Sequence, residues 1–358
     1  MILMSPPCQP FTRIGLQGDV SDPRTKSFIY ILDILPRQVV PMKQQFLQTP
    51  QQMRGAVSAE FTSSNRLERL PKYILLENVK GFETSSARNE FVQTLEACGF
   101  KYQEFLLSPT CLGIPNSRLR YFLIAKLHSE PFSFQASDQI LTYFPDQESN
   151  NSVKYKVPLG LEKDNSSTLA EEENLVPNSG FDCGERQCSP KEAFLFKLET
   201  MEEMKRKQNQ DNDFSMQVLK DFLEGDSEKM SQYYLPPKSL LRYAFLLDIV
   251  KPTCRRSTCF TKGYGHYVEG TGSVLQTAED VQLESVFKFI ETLSEEEKLK
   301  KLSTLKLRYF TPREIANLHG FPPEFGFPDK ITVKQRYRLL GNSLNVHIVA
   351  KLISLLIR

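Results

Sequence analysis

The run KYILLENV, residues 72–79, constrains the fold more than any other segment. Tyr73, Ile74, Leu75 and Leu76 leave no polar face, and the run is too short for a buried helix. It predicts a strand covered on both faces that ends in a polar pair, Glu77-Asn78. Residues 1–4 read as the tail of another buried strand, and YQEFLLSP (102–109) and RYFLIAKL (120–127) as two more. SFIYILDIL (27–35) has helical apolar spacing, and 88–97 forms a second helix. Strand–helix–strand alternation predicts an α/β domain with a largely parallel sheet. Its site should lie at the carboxyl ends of the strands.

At 358 residues the chain can hold one large domain with an insertion, or two units. The reading divides it into a first domain over 1–135, a flexible linker over 136–190, a small and mostly helical subdomain over 191–305, and a return to the first domain over 306–358. Residues 38–69 are polar, Gln-rich and without period, and are expected to be a disordered insertion. TPREIANLHGFP carries a helix start, with Thr311 as N-cap, Pro312 first in the helix and Glu314 three residues on. An aliphatic helix, SLNVHIVAKLISLLI, follows the turn Gly341-Asn342-Ser343. No apolar stretch is read as a membrane span, so no membrane partner is expected. Seven cysteines without a dense framework fit free thiols in a reducing compartment. A net charge of +2 neither demands nor excludes nucleic acid.

Three short strings fall at strand ends of the first domain: Pro6-Pro7-Cys8-Gln9, Glu77-Asn78-Val79 and Arg118-Leu119-Arg120. The prolines forbid helix and hold Cys8 in a stiff turn. A nucleophile, an acid and two fixed cations suit attack on a pyrimidine. A thiolate adding to C6 of cytosine would make C5 nucleophilic, and nearby positive charge would favour the thiolate. A protonated Glu77 could hydrogen-bond N3, and Arg120 could hold the ring carbonyl with its rigid fork. The base must be flipped out of a helix or already lie in a loop. Lys238, Arg242, Arg255, Arg256 and Lys262 cluster around the smaller subdomain, and could contact phosphates or simply be solvated. The pairs Cys183/Cys188 and Cys254/Cys259 lack partners for a zinc site, so no metal is expected.

Taken together and in order, PPCQPF, LLENV, RLRYFLIA, LRYFTPREIANLHGFP and YRLLGNSLNV resemble the S-adenosylmethionine-dependent cytosine-5 methyltransferases. The string CFTKGYG, residues 259–265, is similar to the CFTxxYG signature of a branch that methylates the anticodon loop of aspartate tRNA. The resemblance implies a Rossmann-like methyltransferase sheet with a target-recognition subdomain over 191–305. It implies Cys8 as nucleophile, Glu77 as the acid at N3, and Arg118 and Arg120 as base-contacting or supporting cations. Asn116 stands where many relatives have Gln. Ser5, Pro6, Asn342 and Ser343 are implied to line the S-adenosylmethionine pocket, and Arg255, Arg256, Lys262 and Tyr264 to meet RNA. A monomer in the cytoplasm, and also the nucleus, is expected.

One departure accompanies the resemblance. The family's Gly-rich turn and its ribose-binding acidic residue have no counterpart before Cys8, so the first strands are expected to be missing. Cofactor binding is expected to be weak or absent, and the exposed sheet edge apolar. Two other readings use the same strings: a DNA cytosine-5 methyltransferase, and a non-enzymatic RNA-binding fragment.

Overall fold

The computed structural model describes residues 1–11, 18–37, 70–127, 131–145, 201–225, 228–267 and 270–358. The insertion expected at 38–69, the linker from 146 onward and Cys183 and Cys188 lie outside the described residues.

The first domain is a four-stranded sheet in the order β1 (Ile2–Met4), β2 (Tyr73–Val79), β4 (Arg120–Leu127), β3 (Phe100–Leu107). The strands form where the aliphatic runs predicted them. β1 and β2 are parallel, with Met4 opposite Leu76. The pairs β2–β4 and β4–β3 are antiparallel, so the described sheet is mixed rather than largely parallel. The short 108–119 connection contains no crossover helix, and it returns β4 antiparallel to β3. β4 thereby slots between β2 and β3. Among the described residues β1 pairs only with β2, and Leu3 stays 59% exposed on that strand.

Helices cover both faces. α1 (Lys26–Arg37) and α2 (Ser86–Ala97) bury Phe28, Leu32, Phe91 and Leu95 against Ile74, Leu76, Tyr121 and Leu123. On the opposite face α9 (Val346–Ile357) packs Ile348, Leu352, Leu355 and Leu356 on Leu75, Phe105, Phe122 and Ile124. The alternation of β2 and β4 side chains between the two clusters explains why both strands read as continuous apolar runs.

The second unit includes α3 (Met201–Asp211), α4 (Pro237–Tyr243), α5 (Leu283–Phe287) and α6 (Glu295–Ser303). It also contains a small sheet ordered β5 (Ile249–Val250), β6 (Val274–Gln276), β7 (Leu307–Tyr309). β7 extends this unit past residue 305, because its pairing with β6 is what buries Leu307 beside Val274 and Leu302. α7 (Pro312–Leu318) starts as the sequence predicts: the Thr311 side chain accepts from Glu314 N–H, and the Glu314 carboxylate accepts from Thr311 N–H. Glu314 is fully buried and forms a two-pronged pair with Arg308, at 2.7 and 2.8 Å.

Residues 333–357 are, by length and composition, long and apolar enough to cross a bilayer, contrary to the sequence reading. Here they are broken at 342–345 into α8 (Val333–Gly341) and α9, and the apolar face of α9 is in the core.

Candidate active site

Topology brings the three strings to one end of the sheet. β1 and β2 run parallel and β4 runs against them. The segment after β1, the end of β2 and the start of β4 therefore share an edge, with Val79 directly opposite Arg120. The Cys8 loop is held there by its backbone. Phe11 N–H donates to the Cys8 carbonyl at 3.0 Å, closing the turn that the prolines begin. The buried Asn78 amide donates to the Pro6 carbonyl at 3.4 Å. The Cys8 thiol is half-buried.

Glu77 is buried at the end of β2. Ser5 donates to one carboxylate oxygen at 2.5 Å, and Arg120 Nε lies 3.6 Å from the other. The acid thus sits between a hydroxyl of the nucleophile's loop and one of the expected cations. Arg24, which the sequence reading passed over, lies within electrostatic reach of the Cys8 thiol. Asp22 orients it through Nε at 2.8 Å and Nη2 at 2.5 Å, and Arg24 in turn pulls the Asp22 carboxyl down to about 2.

Arg118 has a different place. Its side chain is buried and both terminal nitrogens of its fork are used, while Nε has no partner among the described residues. Nη1 donates to the Cys259 sulfur at 3.2 Å and the Phe260 carbonyl at 3.0 Å; Nη2 donates to the Gly341 and Ser343 carbonyls at 2.9 and 2.5 Å. It is therefore a supporting cation that ties three segments together. Burial lowers its affinity for its proton, an effect the neighbouring Arg120 adds to. Cys259 also lies 4.0 Å from Arg120 Nη2, so one sulfur touches both arginines. Asn116 closes the same junction, donating to the Ser257 hydroxyl at 3.0 Å and the Thr258 carbonyl at 3.1 Å. Gly341 is required here by close approach: a Cβ would sit 2.1 Å from Lys262 N.

His319, at the end of α7, is fully buried under this knot with both ring nitrogens unpartnered among the described residues. Burial, then the charges of Arg118 and Arg120, press its pKa down to about 3, so the imidazole stays neutral.

The residues expected to meet RNA divide. Lys262 is exposed. Arg255 is partly exposed, and its guanidinium bonds the Met216 carbonyl. Arg256 is not available to a phosphate: it pairs with Asp211 at 3.2 Å and Asp248 at 3.0 Å, with its side chain only 11% exposed. Tyr264 is not a surface residue either. It is buried, donating to the Ser273 carbonyl at 2.6 Å and accepting from Phe310 N–H at 2.9 Å, and its ring packs on Phe260, Tyr309 and Tyr337. An aromatic within a basic string looks like a contact residue, and only the tertiary packing reveals it as core.

The four residues expected to hold S-adenosylmethionine are largely committed elsewhere. The Ser5 hydroxyl serves Glu77 and the Pro6 carbonyl accepts from Asn78. The Ser343 hydroxyl donates to the Leu339 carbonyl, while its own carbonyl accepts from Arg118. Asn342 is exposed. None of the four is acidic, so they do not by themselves fit a ribose diol and a charged methionine end.

The comparisons with known proteins agree with the geometry. The family of C-5 cytosine-specific DNA methylases matches residues 59–358, and the chain belongs to that family. A human protein named tRNA (cytosine(38)-C(5))-methyltransferase is 64% identical over 99% of this chain and 81% of its own length. A Dictyostelium discoideum protein named DNA (cytosine-5)-methyltransferase is 35% identical over 99% of this chain and 76% of its own. A crystal structure of a Spodoptera frugiperda DNMT2 mutant superposes with a TM-score of 0.63 at 32% identity, covering 99% of this chain and 78% of that one. The fold is that of an α/β methyltransferase.

Proposed function

We propose that this chain is a tRNA methyltransferase acting on C5 of a cytosine in the anticodon loop, with aspartate tRNA as substrate, working as a monomer in the cytoplasm and nucleus. The observation that carries the reading is the placement of Glu77, bridged to the Cys8 loop through Ser5 and facing Arg120. The similarity to relatives named for tRNA supports the choice of nucleic acid.

The chemistry assigned to these side chains follows. Arg24 lies within electrostatic reach of the Cys8 sulfur, which is the nucleophile. The sulfur bonds to C6 of the flipped base, and the electrons of the C5–C6 double bond move toward N3. Glu77 gives its proton to N3, which requires its carboxyl to be neutral once the base excludes water. Arg120 holds the ring carbonyl, and Arg118 keeps Arg120's surroundings fixed. S-adenosylmethionine, when bound, would supply an electrophilic methyl group to C5; loss of the C5 proton to a base would then re-form the C5–C6 double bond and release the Cys8 sulfur. The described residues alone are expected to bind it weakly, so calorimetric titration of this chain should give no micromolar binding; micromolar affinity would overturn that expectation.

The function is tested by trapping. A stem-loop RNA with 5-fluorocytosine at the target position, mixed with excess S-adenosylmethionine and the chain, should give a covalent adduct that Cys8→Ala abolishes. An adduct formed with duplex DNA instead would favour the DNA reading, and none with either would remove the enzymatic one.

A further inference from the structure

Phe214 is 82% exposed, yet the loop that carries it is tightly built. Asp213 accepts from Ser215 through N–H at 3.0 Å and hydroxyl at 2.6 Å. Met216 N–H returns to the Asp213 carbonyl at 3.1 Å, and the Met216 side chain is buried. Gln217 N–H donates to the Gly113 carbonyl at 2.9 Å, which docks the loop on the 108–119 connection leading to Arg118 and Arg120. Arg255 finishes the arrangement. Its backbone N–H bonds Asp211 at 2.9 Å, its guanidinium bonds the Met216 carbonyl, and that guanidinium lies 5.0 Å from the Phe214 ring centre.

A phenyl ring held outward on a rigid loop has little reason to be there for stability, since it buries almost none of its surface. Asp213 precedes the ring in the chain, and the Arg255 guanidinium lies over it. Arg256 spends its charge on two carboxylates, whereas Arg255 pairs with no carboxylate among the described residues. The result is an outward aromatic face with the Arg255 guanidinium against it, on a loop docked to the connection that leads to Arg118 and Arg120. Aromatic rings with arginine beside them are what unpaired bases stack on, with the cation meeting the adjoining phosphate.

We propose that Phe214 and Arg255 form a stacking platform for an unpaired base of the RNA substrate, next to the base taken into the site. The platform rests on the tRNA reading above and adds to it a residue that grips the loop of the RNA.

The chain contains no tryptophan, so Phe214→Trp would introduce a single indole. Binding of an RNA stem-loop should quench its fluorescence, and the fully paired duplex of the same stem should not. Phe214→Ala should weaken stem-loop affinity about tenfold, as expected for loss of one stacked base, with kcat at saturating RNA and thermal stability unchanged. Phe214→Trp should restore the affinity. If the stem-loop binds but leaves the indole unquenched, and Phe214→Ala binds as tightly as the parent chain, the platform is refuted and the ring is free to meet a protein instead. If the parent chain binds neither RNA, the tRNA reading falls as well, which separates the two failures.

Discussion

The two walls of the candidate site are built in opposite ways. The nucleophile's wall is a short loop on a peripheral strand, fixed by a few backbone hydrogen bonds, with Cys8 half-buried and Ser5 exposed. The cationic wall is a buried knot in which one guanidinium satisfies four acceptors drawn from two distant segments. The nucleophile therefore stands on a loop at the surface, while the guanidinium that fixes the geometry is buried. Substitutions on the first wall should change chemistry and spare the fold; on the second they should do the reverse.

The sharpest way to break that contrast is Cys8→Ala. All adduct formation and methyl transfer should vanish while denaturant-measured stability stays within about 0.5 kcal/mol, and a large loss of stability would show that the loop supports the fold. Glu77→Gln should lower the rate of adduct formation by about 10² to 10⁴, the usual share of a general acid; single-turnover kinetics with the 5-fluorocytosine RNA would measure it. Arg118→Lys keeps the charge but loses the fork, leaving buried carbonyls without donors at about 1–3 kcal/mol each. A loss of about 3 kcal/mol is expected in urea melts, and an unchanged midpoint would contradict the knot.

The last test concerns acid. His319 has a folded pKa of about 3 against an ordinary 6.5. The unfolded chain takes up this proton first, so stability should fall as pH drops from about 6.5 toward 3, by at most about 1.4 kcal/mol per pH unit. His319→Gln should flatten that part of the profile relative to the parent chain. Parallel curves would mean that the imidazole finds its proton in the folded state.

Local features were legible in advance because their causes are local. The strands of the first sheet, α1, α2 and the Thr311 cap follow from apolar runs, helical spacing and a hydroxyl three residues before a carboxylate. The positions of Cys8, Glu77 and Arg120 at one sheet end also follow once the strands are known. The role of Arg118 was left open between contact and support, since its partners lie 141 to 225 residues away. Arg256 and Tyr264 misled for the same reason: composition places them in a basic, aromatic string, while carboxylates and carbonyls from other elements decide where they point. The antiparallel insertion of β4 was hidden in a connection too short for a helix.

The contact of Arg118 with Gly341 and Ser343 has a consequence for biosynthesis. The strands bearing Cys8, Glu77 and Arg120 leave the ribosome more than two hundred residues before the carbonyls that complete the buried fork. Until then the guanidinium is hydrogen-bonded by water, and the acceptors at Cys259 and Phe260 are synthesised before those at Gly341 and Ser343. Burial of this guanidinium is therefore completed only by the end of α8, where Gly341 lies against Lys262.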